Sequence, residues 1–399
     1  MSSHSTVATT TLSTDRDLEI YDSFDDMDLE EPILRGIYGY GFERPSAIQQ
    51  RAIVPVIKGN DIIAQAQSGT GKTATFSIGL LHRVDPKLNA PQALVIADTR
   101  ELAQQIKKVI CSLAEYTDLG VKICIGGMRS RVPYSSDNPI KEQIIVGTPG
   151  RIFDYLEKEI IPPDNLKIVV IDEADKMLSR EFLTQIQSIF NFVPRSAQIG
   201  LFSATLPEPI LELTSEFMVD PIKILVKTDE LTLDGIRQYY ILLNKEEAKF
   251  DAICDLYKTI AVTQCMIYCN SKKKVRELTE RLVENGFTVS CIHGDMTQEE
   301  RNKVMQDFRD ASTRILVSTD ILSRGIDVQQ VSLVLNYDIP RESDKETYIH
   351  RIGRSGRFGR KGVAINFVTF YDQNNLQELE KYYSTEIQQL PKDLESIFG

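Results

Sequence analysis

The sequence predicts an α/β protein of two domains, each a parallel sheet covered by helices. Three observations carry that prediction. From about residue 45 onward, short runs of β-branched and aliphatic residues alternate with helical stretches, the pattern of βαβ units with right-handed crossovers. The runs are apolar throughout, as in strands buried on both faces. They also form two series, separated by the polar segment "KTDELTLDGI" at 227–236. With 399 residues, each series can build its own core. The expected division is a disordered tail at 1–20, a first domain at 21–226, a linker at 227–236 and a second domain at 237–399.

The tail, "MSSHSTVATTTLSTDRD", has neither an apolar core nor a basic start, so it does not read as a secretory signal. Strands of the first domain are read at "DIIAQA", "ALVIAD", "QIIVGT", "KIVVIDEAD" and "QIGLFSAT". Those of the second are "QCMIYCN", "FTVSCIHG", "TRILVSTD", "VSLVLNYD" and "VAINFVT".

The first strand runs into "AQSGTGKTAT", a phosphate-loop pattern in which Ala66 replaces the first glycine. Ser68, Gly69, Thr70 and Gly71 would wrap phosphate oxygens with backbone N–H groups, at the positive end of a helix starting near Lys72. Lys72 would reach the β and γ phosphates, and the Thr73 hydroxyl would ligate Mg²⁺.

"IVVIDEADK" ends an apolar run with Asp172, Glu173 and Asp175. An ordinary strand-to-helix turn competes as a reading of this stretch alone. Beside a triphosphate, however, one carboxylate suffices for Mg²⁺, which keeps several waters. Asp172 fits that role. Glu173 is placed to accept a proton from an attacking water. Asp175 reads as an orienting residue, working with the "SAT" segment or the second domain. Charge building on the transferring phosphoryl group needs a cation, and "HRIGRSGR" supplies Arg354 and Arg357 as catalytic candidates from the second domain.

Composition narrows the function classes. A net charge of −11 argues against bulk attraction to nucleic acid, so a polyanion must meet local clusters such as Arg351, Arg354, Arg357 and Arg360. Six cysteines without a CxxC pair and only four histidines make a structural zinc site unexpected, and reduced core thiols suit an intracellular compartment. No apolar run nears the roughly 20 residues needed to cross a bilayer, so no membrane partner is expected.

The ordered motifs resemble those of the DEAD-box ATP-dependent RNA helicases, from about residue 21 to the end. They are "GFERPSAIQ" (41–49), "AQSGTGKT" (66–73), "TRELA" (99–103), "GG" (126–127), "TPGR" (148–151), "DEAD" (172–175), "SAT" (203–205), "QEER" (298–301), "STDILSRGID" (318–327) and "HRIGRSGR" (350–357). The resemblance implies two RecA-like domains with ATP and Mg²⁺ as cofactors. By it, Gln49 would read the adenine edge, Phe24 would stack on the ring and Asp327 would approach the ribose. RNA contacts would fall on Thr99, Arg100, Gly127, Thr148, Arg151, Thr319 and Arg324. Ser203, Thr205, Asp175 and His350 would couple the two sites.

The near-bare core most resembles the translation initiation factor 4A subfamily and its exon-junction-complex relative. That likeness implies RNA-stimulated ATP hydrolysis, local non-processive unwinding of short duplexes, and a helical-repeat scaffold partner for a chain monomeric by itself. It implies the cytoplasm, with the nucleus left open. An ATP-locked RNA clamp serving as an assembly platform is the alternative. Several residues depart from the family pattern. Asp98 stands where the family has proline, Lys176 where the subfamily has glutamate, and Ser323 where it has alanine. Pro133 and Pro139 disfavour a helix after Gly127. From Asp98, a negative charge beside the RNA-contacting residues, weakened phosphate binding is expected.

Overall fold

In the computed structural model, residues 12–14, 18–66, 69–127, 134–226, 236–259, 263–320, 331–355, 362–383 and 385–391 are described. Two compact units divide at Glu230/Leu231. The first contains β1 (Leu12–Thr14), α1 (Glu31–Gly39), α2 (Ala47–Ile57), β2 (Ile62–Gln65), α3 (Lys72–Arg83), β3 (Ala93–Ile96), α4 (Arg100–Leu113), β4 (Val121–Cys124), β5 (Ile144–Gly147), α5 (Pro149–Glu157), β6 (Ile168–Asp172), α6 (Ala174–Met177), α7 (Leu183–Phe190), β7 (Gln198–Ser203), α8 (Glu208–Thr214) and β8 (Ile222–Val226). The strands order as β1-β8-β2-β7-β6-β3-β5-β4. All pairs are parallel except β1 on β8.

The expected wholly disordered tail is corrected by β1. Leu12 pairs with Val226 and Thr14 with Ile224, giving backbone partners to what is otherwise the open edge of β8. The apolar runs behave as double-sided strands. Ile62, Val95, Ile168 and Val170 face one core with α1 to α4, while Ile63, Leu94, Val169 and Ile171 face the other with α5 and α7. After Gly127, α5 is the next helix among the described residues, as Pro133 and Pro139 suggested.

The second unit contains β9 (Ile236–Leu242), α9 (Ala248–Thr259), β10 (Cys265–Tyr268), α10 (Lys272–Glu284), β11 (Val289–Ile292), α11 (Gln298–Arg309), β12 (Ile315–Ser318), β13 (Leu333–Asn336), α12 (Glu346–Ile352), β14 (Gly362–Val368), α13 (Gln373–Tyr383) and β15 (Gln388–Gln389). Its order is β11-β12-β10-β13-β14-β9-β15, parallel throughout. Cys265, Ile267, Val317, Leu335 and Phe367 share one core cluster with Phe250 of α9 and Leu278 of α10. Burial raises the Cys265 thiol to about 12, consistent with a reduced core residue.

Candidate active site and nucleic-acid interface

A parallel sheet gathers all its strand-to-helix turns at one carboxyl edge, and in the first unit the expected residues line that edge. The ends of β2, β7 and β6 are consecutive and carry the phosphate loop, Ser203 to Thr205, and Asp172 to Asp175. The ends of β3, β5 and β4 follow and carry Thr99 and Arg100, Thr148 and Arg151, and Gly126 and Gly127.

The phosphate loop has a backbone only glycine adopts easily. Gly69 has φ 83° and Gly71 φ 102°, and a Cβ at Gly71 would stand 2.6 Å from the Gln49 amide nitrogen. Gly71 is the residue before α3, whose first N–H groups open onto the loop. Thr73 is partly exposed, and Lys72 is buried with Nζ donating to the Ala66 carbonyl at 2.6 Å. Ala66 N–H in turn donates to the Ser203 carbonyl, and Gln65 Nε2 to the Ala204 carbonyl. The loop is thereby fastened to the end of β7. Ser68 lies outside the described residues.

Asp172 ends β6 and is buried. Burial, and then the neighbouring Glu173 charge, push its carboxyl up to about 7, against the pull of Lys72 and of the Glu173 N–H, which donates to it at 3.0 Å. Glu173, also buried, adopts φ 52° and ψ 49°, a left-handed conformation that costs about 1–2 kcal/mol in a residue with a Cβ. Such strain concentrates where a side chain must be aimed. Asp175 accepts hydrogen bonds from Ser203 Oγ at 2.8 Å and Thr205 Oγ1 at 2.7 Å, and all three are buried. The oxygen-rich set of Asp172 and the Thr73 hydroxyl suits a hard cation such as Mg²⁺, whose charge would relieve the crowded acids.

On the other half of the edge, Thr99 caps α4 by accepting from the Leu102 N–H. The Arg100 guanidinium lies against the two glycines: a Cβ at Gly126 would meet Nη2 at 2.9 Å, and one at Gly127, where φ is 79°, would meet Nη1 at 3.0 Å. Thr148 precedes α5, and its N–H donates to the Cys124 carbonyl. Arg151 donates to the Tyr155 hydroxyl and lies over its ring. These groups form a partly exposed set of donors suited to phosphates and hydroxyls.

In the second unit, Thr319 follows β12 and is partly exposed. His350 and Arg354 are buried, the latter donating from Nε to the His350 carbonyl at 3.1 Å. Arg324, Asp327 and Arg357 lie outside the described residues. Arg351, one member of the arginine series, is fully buried and engaged. It grips Asp320 with Nε at 2.5 Å and Nη2 at 2.9 Å, and donates to Asn270, Asn336 and the Asp338 carbonyl. It therefore orients the residue next to Thr319, a role the every-third spacing does not reveal.

Two expectations need correction. Phe24 is 0% exposed inside the first unit's core, edge-on to Tyr38 and tilted against Phe42 with ring centres 6.4 Å away in each case. A ring so enclosed packs the core and has no free face for a base. Phe42, partly exposed, and Tyr40, exposed, have ring centres 5.0 Å apart and precede Gln49 in the same motif, a nearness in the chain that was the available signal. Gln49 itself is buried, its Oε1 accepting from the Ser46 N–H at the start of α2 while its amide nitrogen faces Gly71. The Asp98 side chain is completely enclosed and pairs with Lys176 Nζ at 3.1 Å. Its charge is thus enclosed and faces a cation, and two of the departures from the family pattern turn out to be partners.

Comparison with known proteins agrees with this geometry. Residues 46–213 match the DEAD/DEAH box helicase model, and residues 248–359 match the helicase conserved C-terminal domain. The chain is 57% identical over 376 residues to the ATP-dependent RNA helicase eIF4A of Kluyveromyces lactis, covering 94% of each chain. It is 55% identical over 381 residues to that of Aspergillus clavatus, covering 95% of this chain and 94% of the relative. Among solved structures it is similar to S. cerevisiae Dbp5 bound to RNA and ADP BeF3, with a TM-score of 0.89 and 36% identity over 94% of this chain and 97% of that one.

Proposed function

Because the chain belongs to the DEAD-box ATP-dependent RNA helicases, enzymes that hydrolyse ATP, we propose that it separates short RNA duplexes locally, in translation initiation, with ATP turnover stimulated by RNA. The observation that carries this reading is the single carboxyl edge of the first unit, where a phosphate loop and paired acids adjoin a row of RNA-type donors.

The Gly69 and Gly71 backbone and the α3 amino terminus bind the triphosphate, with Lys72 leaving the Ala66 carbonyl for the phosphates. Thr73 and Asp172 would hold Mg²⁺, which when bound supplies charge stabilisation at the transferred group. Glu173 takes the proton of the attacking water. Arg354 is our candidate for the cation that phosphoryl transfer calls for. Thr99, Arg100, Gly127, Thr148 and Arg151 bind the RNA backbone, which makes recognition largely independent of sequence. A helical-repeat scaffold of the initiation-factor type is the proposed partner and the cytoplasm the proposed place of work.

A strand-displacement assay tests this. A short labelled RNA duplex should separate with ATP and wild-type protein, and remain paired with Lys72→Ala or Glu173→Gln. Equal displacement by all three proteins would refute it.

A further inference from the structure

We propose that the Asp98–Lys176 ion pair is a positioning tether that carries RNA engagement at the β3 corner to the catalytic acids at the β6 corner. The inference rests on the reading above that Thr99 and Arg100 meet RNA. The strands β6 and β3 are neighbours, with Ile171 opposite Ile96, so the turns that follow them lie side by side. This seam is where the nucleotide half of the edge meets the RNA half.

Each partner is fixed to one side of the seam. Asp98 directly precedes Thr99, which caps α4, and Arg100, which lies against Gly126 and Gly127. Lys176 belongs to the short helix that starts at Glu173, next to Asp175, whose carboxylate Ser203 and Thr205 hold. Its ammonium also sits 5.7 Å from the centre of the Phe182 ring, at the start of α7. Among the described residues, Lys176 is the one cation paired with Asp98. A completely enclosed carboxylate follows its counter-ion, because separating the two in a poorly polarisable interior is unfavourable. Movement of the α4 amino terminus on a bound strand therefore draws on α6.

A charge-swap cycle tests this, with Asp98→Lys and Lys176→Asp, plus Asp98→Asn as a shape-preserving control. We measure ATP turnover with and without single-stranded RNA, and affinity for a fluorescent ATP analogue. Asp98→Asn, Asp98→Lys and Lys176→Asp should each lower RNA-stimulated kcat about tenfold while RNA-free turnover and nucleotide affinity stay within about twofold. The Asp98→Lys/Lys176→Asp double, which restores the pair with its charges exchanged, should recover to within about threefold of wild type, a clear departure from additivity.

Additive losses overturn the tether, as does an equal fall of basal and stimulated turnover. A single variant that melts below the assay temperature while the double stays folded would show a stability pair without coupling, and also overturns it. Wild-type protein that RNA fails to stimulate overturns the parent reading together with this one, so the two failures are told apart.

Discussion

Replacing Ser203 with Ala and Thr205 with Val removes two hydrogen bonds from one enclosed carboxylate and should destabilise the first unit alone. Asp175 is 6% exposed, Ser203 0% and Thr205 3%, so water cannot take over the vacated positions. The two bonds are short, at 2.8 and 2.7 Å. A hydrogen bond to a charged group contributes roughly 1.5–3 kcal/mol, so the double variant should lose about 3–6 kcal/mol. For a unit of this size each kcal/mol shifts Tm by about 2–4 °C, giving a fall on the order of 10 °C. Ser188 provides the control, since its exposed hydroxyl only back-bonds to the Thr184 carbonyl, and Ser188→Ala should change stability by about 0.5 kcal/mol or less. Scanning calorimetry is the assay, because a two-unit chain need not melt in one step and the transition of the second unit serves as an internal standard. A double variant melting within about 2 °C of wild type, or moving both transitions equally, would refute the reasoning.

Gly71→Ala places a Cβ 2.6 Å from the Gln49 amide at a φ of 102°, and should weaken ATP binding at least about tenfold in a fluorescent-nucleotide titration while the second unit keeps its melting transition. Arg351→Ala empties a fully buried site and leaves Asn336 and the Asp338 carbonyl without their donor, and should cost about 2–5 kcal/mol, read as a fall of the second unit's transition. For Asp172 the folded state favours the proton, since its carboxyl is raised from 3.8 to about 7. The metal-free, nucleotide-free protein should therefore lose stability as pH rises from about 4 to about 7 and level off above, with Asp172→Asn removing that component in melts followed across the range.

How far the sequence discloses this molecule depends on whether the signal is local. The fully buried strands were legible because double-sided burial demands unbroken apolar runs, and the phosphate loop because its glycines, lysine and threonine must be contiguous; β4 and β9, only partly buried along most of their length, were not read. Ser203 and Thr205 were matched to Asp175 through the family resemblance, as short hydroxyls able to bridge an acid, where the stretch by itself reads as a strand-end turn. Burial was not legible where composition allows either outcome. Phe24 and Phe42 look alike as letters, yet one is sealed in the core and the other partly exposed. Arg351 is spaced like Arg354 but is committed to Asp320, Asn270, Asn336 and the Asp338 carbonyl. Asp98 and Lys176 each appeared as an isolated departure, because they are far apart in the chain and adjoin only once β3 and β6 pair. The edge strand Leu12–Thr14 was hidden in a polar segment, since an edge needs backbone groups more than apolar side chains.

Steady-state ATP hydrolysis with and without single-stranded RNA, comparing wild type with Glu173→Gln, tests the central claim most directly. Strong RNA stimulation in the wild type, abolished by the substitution while nucleotide binding persists, is the predicted result. Turnover that ignores RNA, or survives in Glu173→Gln, would contradict it.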